Sequence, residues 1–594
     1  MNRVGSITIL LVTLFVAVDA LGGRGDLIVA TPEAELGVDP SQAFAVLGDA
    51  VSIHDDRLLS GMPGLDADGM QERGGAAIFT LGGVDGTSWV QEAMLVSTGF
   101  LGGQQAGNAV ALGDGIAVLG SPDRSDVPGG GSPRVAVFQS TPDGWFETTP
   151  LSDPRVPPGS GFGSALDLDD RTLVVGAPRI DIDGFNAGGV FVWELATDGS
   201  ALGMERLTTS SIAAGDRLGV AVAIDGDRIA VGAPGDDEAG LDAGAVWIFR
   251  REGAGWVVDG KVLPSIVDFG GAFGTAVSLD GDRLAVGAPR AGDGGLTEVL
   301  HRDARAGWMH EAVLPGAGPS QTVRDAGHAV ALDADRIAVG QPAATVGGAR
   351  TGTVAIWRRT GTDWGLEGVI RPSNTGLILL GAAVALEGGR LVAGMPLDSS
   401  QASNAGGIAT IDLDRDCDGD GVADQFATQG GLVDDCDGDG VPDSCLLEQS
   451  PELDCNGNGV LDACDLASGD SEDLNLNGLP DECESELVFE VPGNFSSIGD
   501  AIAAAADGAV IEIEAGVYET QIEIGATALT IRGSDDPFNP TVLRGVPSGL
   551  VPASVVRISG PQGSGCRLED LVIEDGRNAA VLPDDPLRTG GGGL

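Results

Sequence analysis

Lysine, tyrosine and histidine are scarce in this chain. Its 594 residues include one lysine, Lys261, one tyrosine, Tyr518, and four histidines. Lysine and arginine together number 33 against 88 aspartates and glutamates, for a net charge of −55. Such an acidic surface repels phosphate and anionic lipid, so the composition excludes a protein that binds nucleic acid.

Long apolar runs are also few. Arg3 precedes an apolar run from Ile7 to Val18, and Val18-Asp19-Ala20 offers a cleavage site, which predicts a secretory signal peptide over residues 1–20. The run is too short to span a bilayer, and no later run reaches the ~20 residues that a membrane helix needs. We therefore expect a secreted, extracellular or cell-surface protein without a transmembrane span.

Catalytic constellations are missing too. No two of His54, His301, His310 and His328 have the spacing of metal ligands or of a catalytic pair. We interpret all four as ordinary strand or turn residues and predict no catalytic residue. The sequence favours a protein that is not an enzyme.

The clearest pattern in the chain is Asp-x-Asp/Asn-x-Asp/Asn-Gly-x-x-Asp, which occurs four times at a 19-residue period within residues 412–486. Alternate oxygen ligands that wrap around a sharp glycine turn are the loop chemistry of bound calcium. The seventh residue of each loop would offer its carbonyl while its side chain packs inward. The predicted ligands are Asp416, Asp418, Asp420, Val422 and Asp424; Asp435, Asp437, Asp439, Val441 and Asp443; Asp454, Asn456, Asn458, Val460 and Asp462; and Asp473, Asn475, Asn477, Leu479 and Asp481.

A disordered acidic linker is the alternative interpretation, because residues 412–486 hold 23 acidic residues against one base, Arg415. A divalent ion in each loop would remove charge and supply folding free energy. The twelfth loop position, a bidentate Glu in EF-hands, holds Ala427, Leu446, Asp465 and Glu484. The first two loops therefore lack that ligand.

Cysteines follow the same 19-residue register in two columns. One column ends with Leu474 in place of cysteine, and the other begins with Phe426. Pairing each first-column cysteine with the second-column cysteine of the next repeat gives Cys417–Cys445, Cys436–Cys464 and Cys455–Cys483. Pairing within a repeat would strand two cysteines, so we prefer the staggered scheme, although sequence alone leaves the connectivity open. The segment resembles thrombospondin type 3 repeats, which implies a rod built on calcium and disulfides.

Residues 44–398 contain seven copies of a second repeat. Each copy has an apolar-Gly pair, an alternating strand, a tight acidic turn, a second strand and a Gly-x-Pro stop. The stop glycines, 53 to 59 residues apart, are Gly61, Gly120, Gly176, Gly232, Gly287, Gly340 and Gly394. This period, filled with short strands, is typical of the four-stranded blades of a β-propeller.

A fourth strand in most copies opens with a tryptophan, namely Trp89, Trp145, Trp256, Trp308 or Trp364. The seventh copy has no fourth strand after it. We therefore predict that the segment Leu27 to Leu36 closes the ring beside Gly407 to Leu413.

This region, residues 21–411, resembles the FG-GAP repeat of the seven-bladed propeller of integrin α chains, particularly its shorter bacterial form. Integrin-type blades carry a calcium loop between their first two strands. Here that place holds only short turns such as Asp169-Asp170 and Asp225-Gly226-Asp227. Two carboxylates on a tight turn cannot surround an ion, so we expect solvated turn residues.

Residues 487–594 change pattern again. A short amphipathic segment at Ser497 to Ile502 precedes apolar strands at Ala509–Ile513, Gly516–Tyr518, Ile522–Ile524 and Leu529–Gly533, with further strands at Val555–Ile558 and Leu568–Ile573. This order resembles the start of a right-handed parallel β-helix of the pectin-lyase-like type. The chain ends after roughly three coils, with Cys566 as an odd seventh cysteine outside the two columns, which we interpret as truncation.

The fold class predicted is all-β: a propeller, a calcium and disulfide rod, and a partial β-helix. The preferred function is a non-catalytic, calcium-binding adhesion or scaffold protein whose propeller recognises an extracellular protein or polysaccharide. The alternative is an extracellular polysaccharide lyase or hydrolase that acts through the β-helix and is targeted by the propeller. That alternative depends on resemblance alone.

Overall fold

The computed structural model describes residues 29–30, 32, 34–38, 42–67, 69–82, 88–99, 103–122, 134–209, 211–318, 323–374, 376–417, 422–436, 438, 441–484, 487–506, 508–524, 528–536, 538–545, 555–558 and 566–574. The predicted signal peptide and the end of the chain lie outside these residues. The chain divides into two compact units, residues 1–432 and 433–594. The first 19-residue repeat therefore belongs to the first unit and the other three to the second.

Two short strands precede the propeller repeats, β1 (Val29–Ala30) and β2 (Ala34–Leu36). The ring of the first unit then follows as seven sheets. Its remaining strands are β3 (Val51–His54), β4 (Arg57–Met62), β5 (Gly75–Leu81) and β6 (Trp89–Leu95) in blade one; β7 (Ala109–Gly113), β8 (Ile116–Ser121), β9 (Arg134–Thr141) and β10 (Gly144–Glu147) in blade two; β11 (Ala165–Asp169), β12 (Thr172–Gly176), β13 (Val190–Leu195) and β14 (Ala201–Leu207) in blade three; β15 (Val222–Asp225), β16 (Arg228–Ala233), β17 (Ala245–Glu252) and β18 (Gly255–Val262) in blade four; β19 (Ala276–Asp280), β20 (Arg283–Ala288), β21 (Leu296–Asp303) and β22 (Gly307–Pro315) in blade five; β23 (Ala329–Asp333), β24 (Arg336–Gln341), β25 (Thr353–Thr360) and β26 (Asp363–Ile370) in blade six; and β27 (Val384–Glu387), β28 (Arg390–Met395) and β29 (Gly407–Asp412) in blade seven.

The fourth strand of blade seven comes from the other end of the repeat region. Strand β2 pairs antiparallel with β29, with Ala34 opposite Thr410 and Leu36 opposite Ile408. This pairing confirms the predicted ring closure for Ala34–Leu36. Strand β1 instead pairs in parallel with β26 of blade six.

Within each blade, tight turns connect antiparallel strands. In blade four, Asp225 pairs with Arg228 across the predicted Asp-Gly turn. The middle strands are almost wholly buried, since β16 and β17 carry five consecutive buried residues each. Burial on both faces is expected where each sheet packs between two neighbours. Blades three and four, for example, share a core that includes Val174, Val190 and Trp247.

Glycine residues allow the backbones of neighbouring blades to come into close contact. The stop glycine of each blade faces the carbonyl oxygen of the apolar-Gly glycine in the next blade. A Cβ on Gly232 would lie 1.9 Å from the oxygen of Gly274, and one on Gly176 would lie 2.1 Å from that of Gly219. Gly274 has φ of +89°, a conformation that glycine adopts without a steric cost. Both glycines of the repeat are therefore required by close backbone contact.

The acidic turns also join neighbouring blades, which corrects the expectation that they are only solvated. Asp169 Oδ2 accepts a hydrogen bond from Gly226 N at 2.7 Å, and Asp280 Oδ2 accepts one from Ala334 N at 2.7 Å. Glu387 Oε2 accepts from Asp55 N at 3.0 Å across the junction where the ring closes. The last residue of the first strand thus binds the turn of the following blade.

The first unit ends with helix α1 (Asp424–Gln429), which belongs to the first 19-residue repeat. Phe426 is fully buried and packs in a core with Ile356, Ile370 and Leu391 of blades six and seven. The second unit continues with α2 (Asp443–Gln449), a 3₁₀ helix at Pro451–Leu453, α3 (Asp462–Ser468) and a 3₁₀ helix at Asp481–Cys483.

The remainder of the second unit consists of parallel strands and one helix. They are β30 (Val488–Val491), α4 (Ile498–Ala504), β31 (Val510–Ile513), β32 (Gly516–Glu519), β33 (Ile522–Ile524), β34 (Thr530–Arg532), β35 (Thr541–Arg544), β36 (Val556–Ile558), β37 (Arg567–Glu569) and β38 (Leu571–Glu574). Strands β30, β31, β34 and β37 form one sheet, β32, β35 and β38 a second, and β33 and β36 a third.

Every predicted strand of this region lies at or near an observed one, whereas β30 and β35 were not predicted. The predicted single strand Leu568–Ile573 is two strands, because Asp570 between them has φ of +51°. The three sheets enclose a core that includes Phe489, Ile511 and Ile531, and Leu474 of the fourth 19-residue repeat packs against it.

Candidate calcium loops and the loop face of the propeller

The ninth residue of each 19-residue repeat closes its loop. Asp424, Asp443 and Asp462 are the first residues of α1, α2 and α3, and Asp481 opens the last 3₁₀ helix. Each carboxylate accepts a hydrogen bond from the backbone N–H of the second loop residue. The distances are 3.0 Å from Cys417, 3.1 Å from Cys436, 3.1 Å from Cys455 and 2.9 Å from Leu474. One oxygen of this aspartate therefore binds backbone in all four repeats.

The third and fourth loops share one hydrogen-bond pattern at their first residue. Asp454 accepts from Asn458 N at 3.1 Å and from Gly459 N at 2.8 Å. Asp473 accepts from Asn477 N at 3.1 Å and from Gly478 N at 2.9 Å. The first aspartate in each case bonds the tight turn at the glycine. The two loops therefore have the same local conformation.

Side chains from three other positions meet in the same two loops. Asn456 and Asn458 donate through Nδ2 to Asp465 Oδ2 at 3.0 and 2.8 Å. In the fourth loop, Asn475 and Asn477 donate to Glu484 at 2.8 and 2.7 Å. The side chains at the third, fifth and twelfth positions of each of these loops thus lie close together. All of them carry oxygen atoms, which are the ligands that calcium prefers.

The first two loops have fewer oxygen ligands. Their twelfth positions are Ala427 and Leu446, and Ala427 is buried. The predicted ligands Asp418, Asp420, Asp437 and Asp439 lie outside the described residues. Asp416 and Asp435 are described, and Asp435 Oδ1 accepts from Gly438 N at 2.9 Å.

The prediction that the seventh residue packs inward is wrong for two loops. Val441 is buried, but Val460 and Leu479 are 41% and 49% exposed. The eighth residue is buried in every repeat, namely Ala423, Pro442, Leu461 and Pro480. The extended backbone of this residue, with φ of −62° and ψ of 137° at Leu461, precedes the helix and turns its side chain inward.

The cysteines pair between successive repeats. Cys436 is bonded to Cys464 and Cys455 to Cys483, which are the partners that the staggered scheme assigns. Cys417 and Cys445 are disulfide-bonded as well. The cysteine pairs lie within 4.8 Å of Asp443 and Asp462. Because their sulfurs are held in disulfides, these clusters offer no thiolate to a metal.

A pocket of about 540 Å³ opens between blades one and two, on the face formed by the loops that connect second to third strands and fourth strands to the next blade. Its lining includes the carboxylates of Asp49, Asp66 and Glu72. Burial raises the pKa of Asp49 to about 6, although Asn108 Nδ2 donates to Asp49 at 3.2 Å. Of the described residues that line the pocket, none is a lysine, arginine or histidine.

Large apolar side chains are exposed on the same face. They include Phe44, Phe185, Leu241, Phe269 and Leu377, each more than half exposed. Every one of them lies in a loop at this face, since the short acidic turns are at the opposite end of the strands. This surface is called the loop face below.

The longer acidic loops of blades three and four use their carboxylates within the fold. Lys261 contacts Asp236 at 2.6 Å and Glu238 at 2.7 Å, and its ammonium lies 5.1 Å from the centre of the Trp247 ring. Asp183 forms an ion pair with Arg206. These contacts neutralise the only lysine of the chain and stabilise the two loops.

Carboxylates that sequence spacing did not reveal raise the pKa of two of the four histidines. His310 Nδ1 lies 2.7 Å from the buried Glu298, and this contact raises the pKa of His310. Hydrogen bonds with Glu387 and Asp114 raise the pKa of His54 to about 9. These partners are 12 to 333 residues away in the chain, so spacing along the sequence carried no signal for them.

The seven sheets of the first unit form a seven-bladed β-propeller. Residues 203–249, from strand β14 into β17, match the family model of the FG-GAP repeat. A solved structure described as a "putative 6-phosphogluconolactonase" from Bacteroides uniformis ATCC 8492 is similar at 9% identity, with 54% of this chain and 83% of that chain covered and a TM-score of 0.36. No curated protein matches the chain. Among the described residues, no helix is long and apolar enough to cross a membrane.

Proposed function

We propose that this protein is a non-catalytic extracellular recognition protein, secreted or held at a cell surface, whose propeller binds an extracellular protein or polysaccharide. The FG-GAP match supports a recognition or adhesion module. Disulfides such as Cys436–Cys464 are typical of proteins from oxidising compartments. The predicted signal peptide supports secretion.

The loop face is the observation that carries this proposal. The loops of several blades present exposed aromatic and aliphatic side chains there, with Phe185 73% and Phe269 78% exposed. Exposed apolar groups on a face that also contains an acidic pocket are typical of interaction sites. Loops carried on a rigid scaffold are also where binding residues are most often found.

We propose further that residues 412–486 form a calcium-binding rod like thrombospondin type 3 repeats. Asp454, Asn456, Asn458 and Asp465 would bind one ion, and Asp473, Asn475, Asn477 and Glu484 another. Bound calcium would neutralise carboxylates that otherwise repel one another and so contribute folding free energy. The first two loops, without a twelfth carboxylate, would bind calcium more weakly.

For residues 487–594 we propose the start of a right-handed parallel β-helix. The parallel pairing of β31 with β34 and of β34 with β37 supports it, because successive coils of such a solenoid stack strands in parallel. Two arginines of these sheets bind carboxylates of neighbouring strands. Arg532 contacts Glu512 at 2.9 Å and Glu569 at 3.2 Å, and Arg544 contacts Glu574 at 2.8 Å. These ion pairs do not favour the polysaccharide lyase alternative.

Calcium binding is tested by isothermal titration of the full chain. The double variant Asp465→Asn and Glu484→Gln should weaken two of the sites at least tenfold, or ~1.4 kcal/mol per ion. The control, Asp470→Asn with Glu452→Gln, removes the same charge from exposed positions of the segment and should leave both affinities unchanged. Equal weakening in both variants would mean that charge, and not coordination, determines binding. Absence of calcium binding by the unaltered chain would contradict the rod.

Recognition is tested with immobilised fibronectin, collagen, alginate and pectin as probes. The triple variant Phe185→Ser, Leu241→Ser and Phe269→Ser should lose binding to whichever of these probes the unaltered chain binds. The matched control is Phe146→Ser, Leu202→Ser and Val258→Ser, which changes exposed residues of the outer strands. Retained binding by the loop-face variant would exclude this face. Cleavage of pectin or alginate by the full chain would support the enzyme alternative.

A further inference from the structure

Three blades of the propeller bring one histidine and three carboxylates together at the turn end of the ring. His54 ends strand β3 of blade one, and Asp55 follows it. Asp114 lies in the turn between β7 and β8 of blade two, and Glu387 ends β27 of blade seven. The cluster therefore spans the junction where the ring closes.

The Nε2 edge of the His54 ring lies near two carboxylates. His54 Nε2 lies 3.2 Å from Asp114 Oδ1 and 4.0 Å from Asp55 Oδ2. One ligand atom from each of the three residues lies within 4.8 Å of the other two. The side chains of Asp55 and Asp114 are 81% and 78% exposed, so an ion can reach the cluster directly from solvent.

Glu387 contacts the second ring nitrogen of His54 and the backbone of Asp55. Its Oε1 lies 3.4 Å from His54 Nδ1, and its Oε2 accepts from Asp55 N at 3.0 Å. Asp55 has φ of +52°, and the bond from its N–H fixes the turn that places it beside the histidine. A carboxylate on the second ring nitrogen is the usual partner of a metal-binding histidine, because it fixes the ring orientation and raises the basicity of the ligand.

We propose that His54, Asp55 and Asp114 bind a zinc ion, with Glu387 as the positioning residue of His54. Zinc binds histidine nitrogen and carboxylate oxygen at about 2.0 to 2.2 Å in tetrahedral sites, so its ligand atoms lie about 3.4 Å apart. The His54–Asp114 distance already agrees with this value. Asp55, whose Oδ2 lies 4.0 Å from His54 Nε2, reaches it by a small rotation of its exposed side chain, and water completes the coordination.

The ligand set selects zinc and similar divalent transition ions over calcium, which requires six to eight oxygens. Zinc takes the place of the proton on Nε2, so it binds the neutral imidazole. The neighbouring base, Arg390, contacts Asp56 at 3.3 Å and the carbonyl of Asp55 at 3.4 Å. The bound ion would connect blades one and two and, through Glu387, blade seven. This site is independent of the proposed recognition function.

The experiment is a zinc titration of the full chain by calorimetry at pH 8, with calcium in excess so that the acidic loops are saturated. The variants are His54→Gln and Asp114→Asn, and the control is His328→Gln, which changes an exposed histidine of another blade. Cobalt(II) supplies a second readout through the visible absorption of tetrahedral coordination.

The unaltered chain and the His328 variant should bind one zinc ion that the His54 variant binds at least tenfold more weakly. Zinc should raise the melting temperature of the unaltered chain and leave that of the His54 variant unchanged, while circular dichroism without zinc shows that both are folded. Equal zinc affinity of the His54 variant would overturn the site. Absence of zinc binding by the unaltered chain would overturn it as well.

Discussion

The ring of Phe426 lies against the backbone of Gly368 in the fourth strand of blade six, where a Cβ on the glycine would be 2.5 Å from Phe426 Cε1. Phe426 occupies the place of a cysteine in the first 19-residue repeat. At the other end of the array Leu474, also in a cysteine position, packs against the core of the parallel sheets. Each end of the cysteine array therefore has an apolar anchor in place of a disulfide.

Phe426→Ala should destabilise the first unit by about 3 to 5 kcal/mol, because it removes a buried aromatic side chain from a packed core. All eight tryptophans lie within residues 89–364, so their fluorescence reports the propeller during urea denaturation. Phe146→Ala is the control, since Phe146 is 53% exposed and should cost under about 1 kcal/mol. Similar effects of the two substitutions would mean that Phe426 does not anchor the repeat.

Gly232→Ala should also be strongly destabilising. The new methyl group would lie 1.9 Å from the carbonyl oxygen of Gly274 in the next blade, so the two blades must separate. We expect a loss of at least ~2 kcal/mol, at the upper end of ordinary point mutations. Gly203→Ala, at a strand position with no atom within 4 Å of the added carbon, is the control. A melting temperature for Gly232→Ala that equals the control would refute the close approach of the blades.

The periodicity of apolar pairs, turns and stops predicted seven blades because each blade is one local unit of alternating strands. The position of the closing strand Ala34–Leu36 followed from the strand missing after the seventh repeat. Contacts between blades were not predictable in this way. The bond between Asp280 and Ala334, and the meeting of His54 with Asp114 and Glu387, depend on the angle between neighbouring sheets, which no local pattern encodes.

The candidate calcium loops show that prediction from sequence is limited within one repeat as well. Spacing predicted which residues bear oxygen ligands, and the third and fourth loops bring several of these side chains together. The exposure of Val460 and Leu479 was not predictable from spacing, because the backbone turn before each helix decides which neighbour points inward.

Asp167→Asn should stabilise the propeller at neutral pH. Burial raises the pKa of Asp167 to about 6, while Asp167 Oδ2 accepts from Ile224 N at 2.7 Å. The folded state therefore holds this proton more tightly than the unfolded chain, so the ionised carboxylate lowers stability as pH rises from about 4 through 6. Asparagine keeps an acceptor for Ile224 without the charge and gives up only the bond that Asp167 Oδ1 accepts from Leu168 N at 3.0 Å.

The expected gain for Asp167→Asn is roughly 1 to 3 kcal/mol at pH 7.5, and it should shrink as the pH falls toward 5. Scanning calorimetry of both proteins across this pH range measures the difference. Asp170→Asn, a change in an exposed turn residue, should show no such pH dependence. A gain for Asp167→Asn that stayed constant with pH would exclude a buried charge as its cause.

Removing the Cys436–Cys464 disulfide should destabilise the second unit and leave the propeller unchanged. The bond closes a separation of 28 residues, for which loop entropy predicts a contribution of about 3 to 4 kcal/mol. In Cys436→Ser with Cys464→Ser, a calorimetric transition should move to lower temperature while the transition followed by tryptophan fluorescence does not. Excess calcium should restore part of the loss if the loops bind it, because ligand binding to the folded state adds to its stability. A coincident shift of the tryptophan transition would show that the two units unfold together.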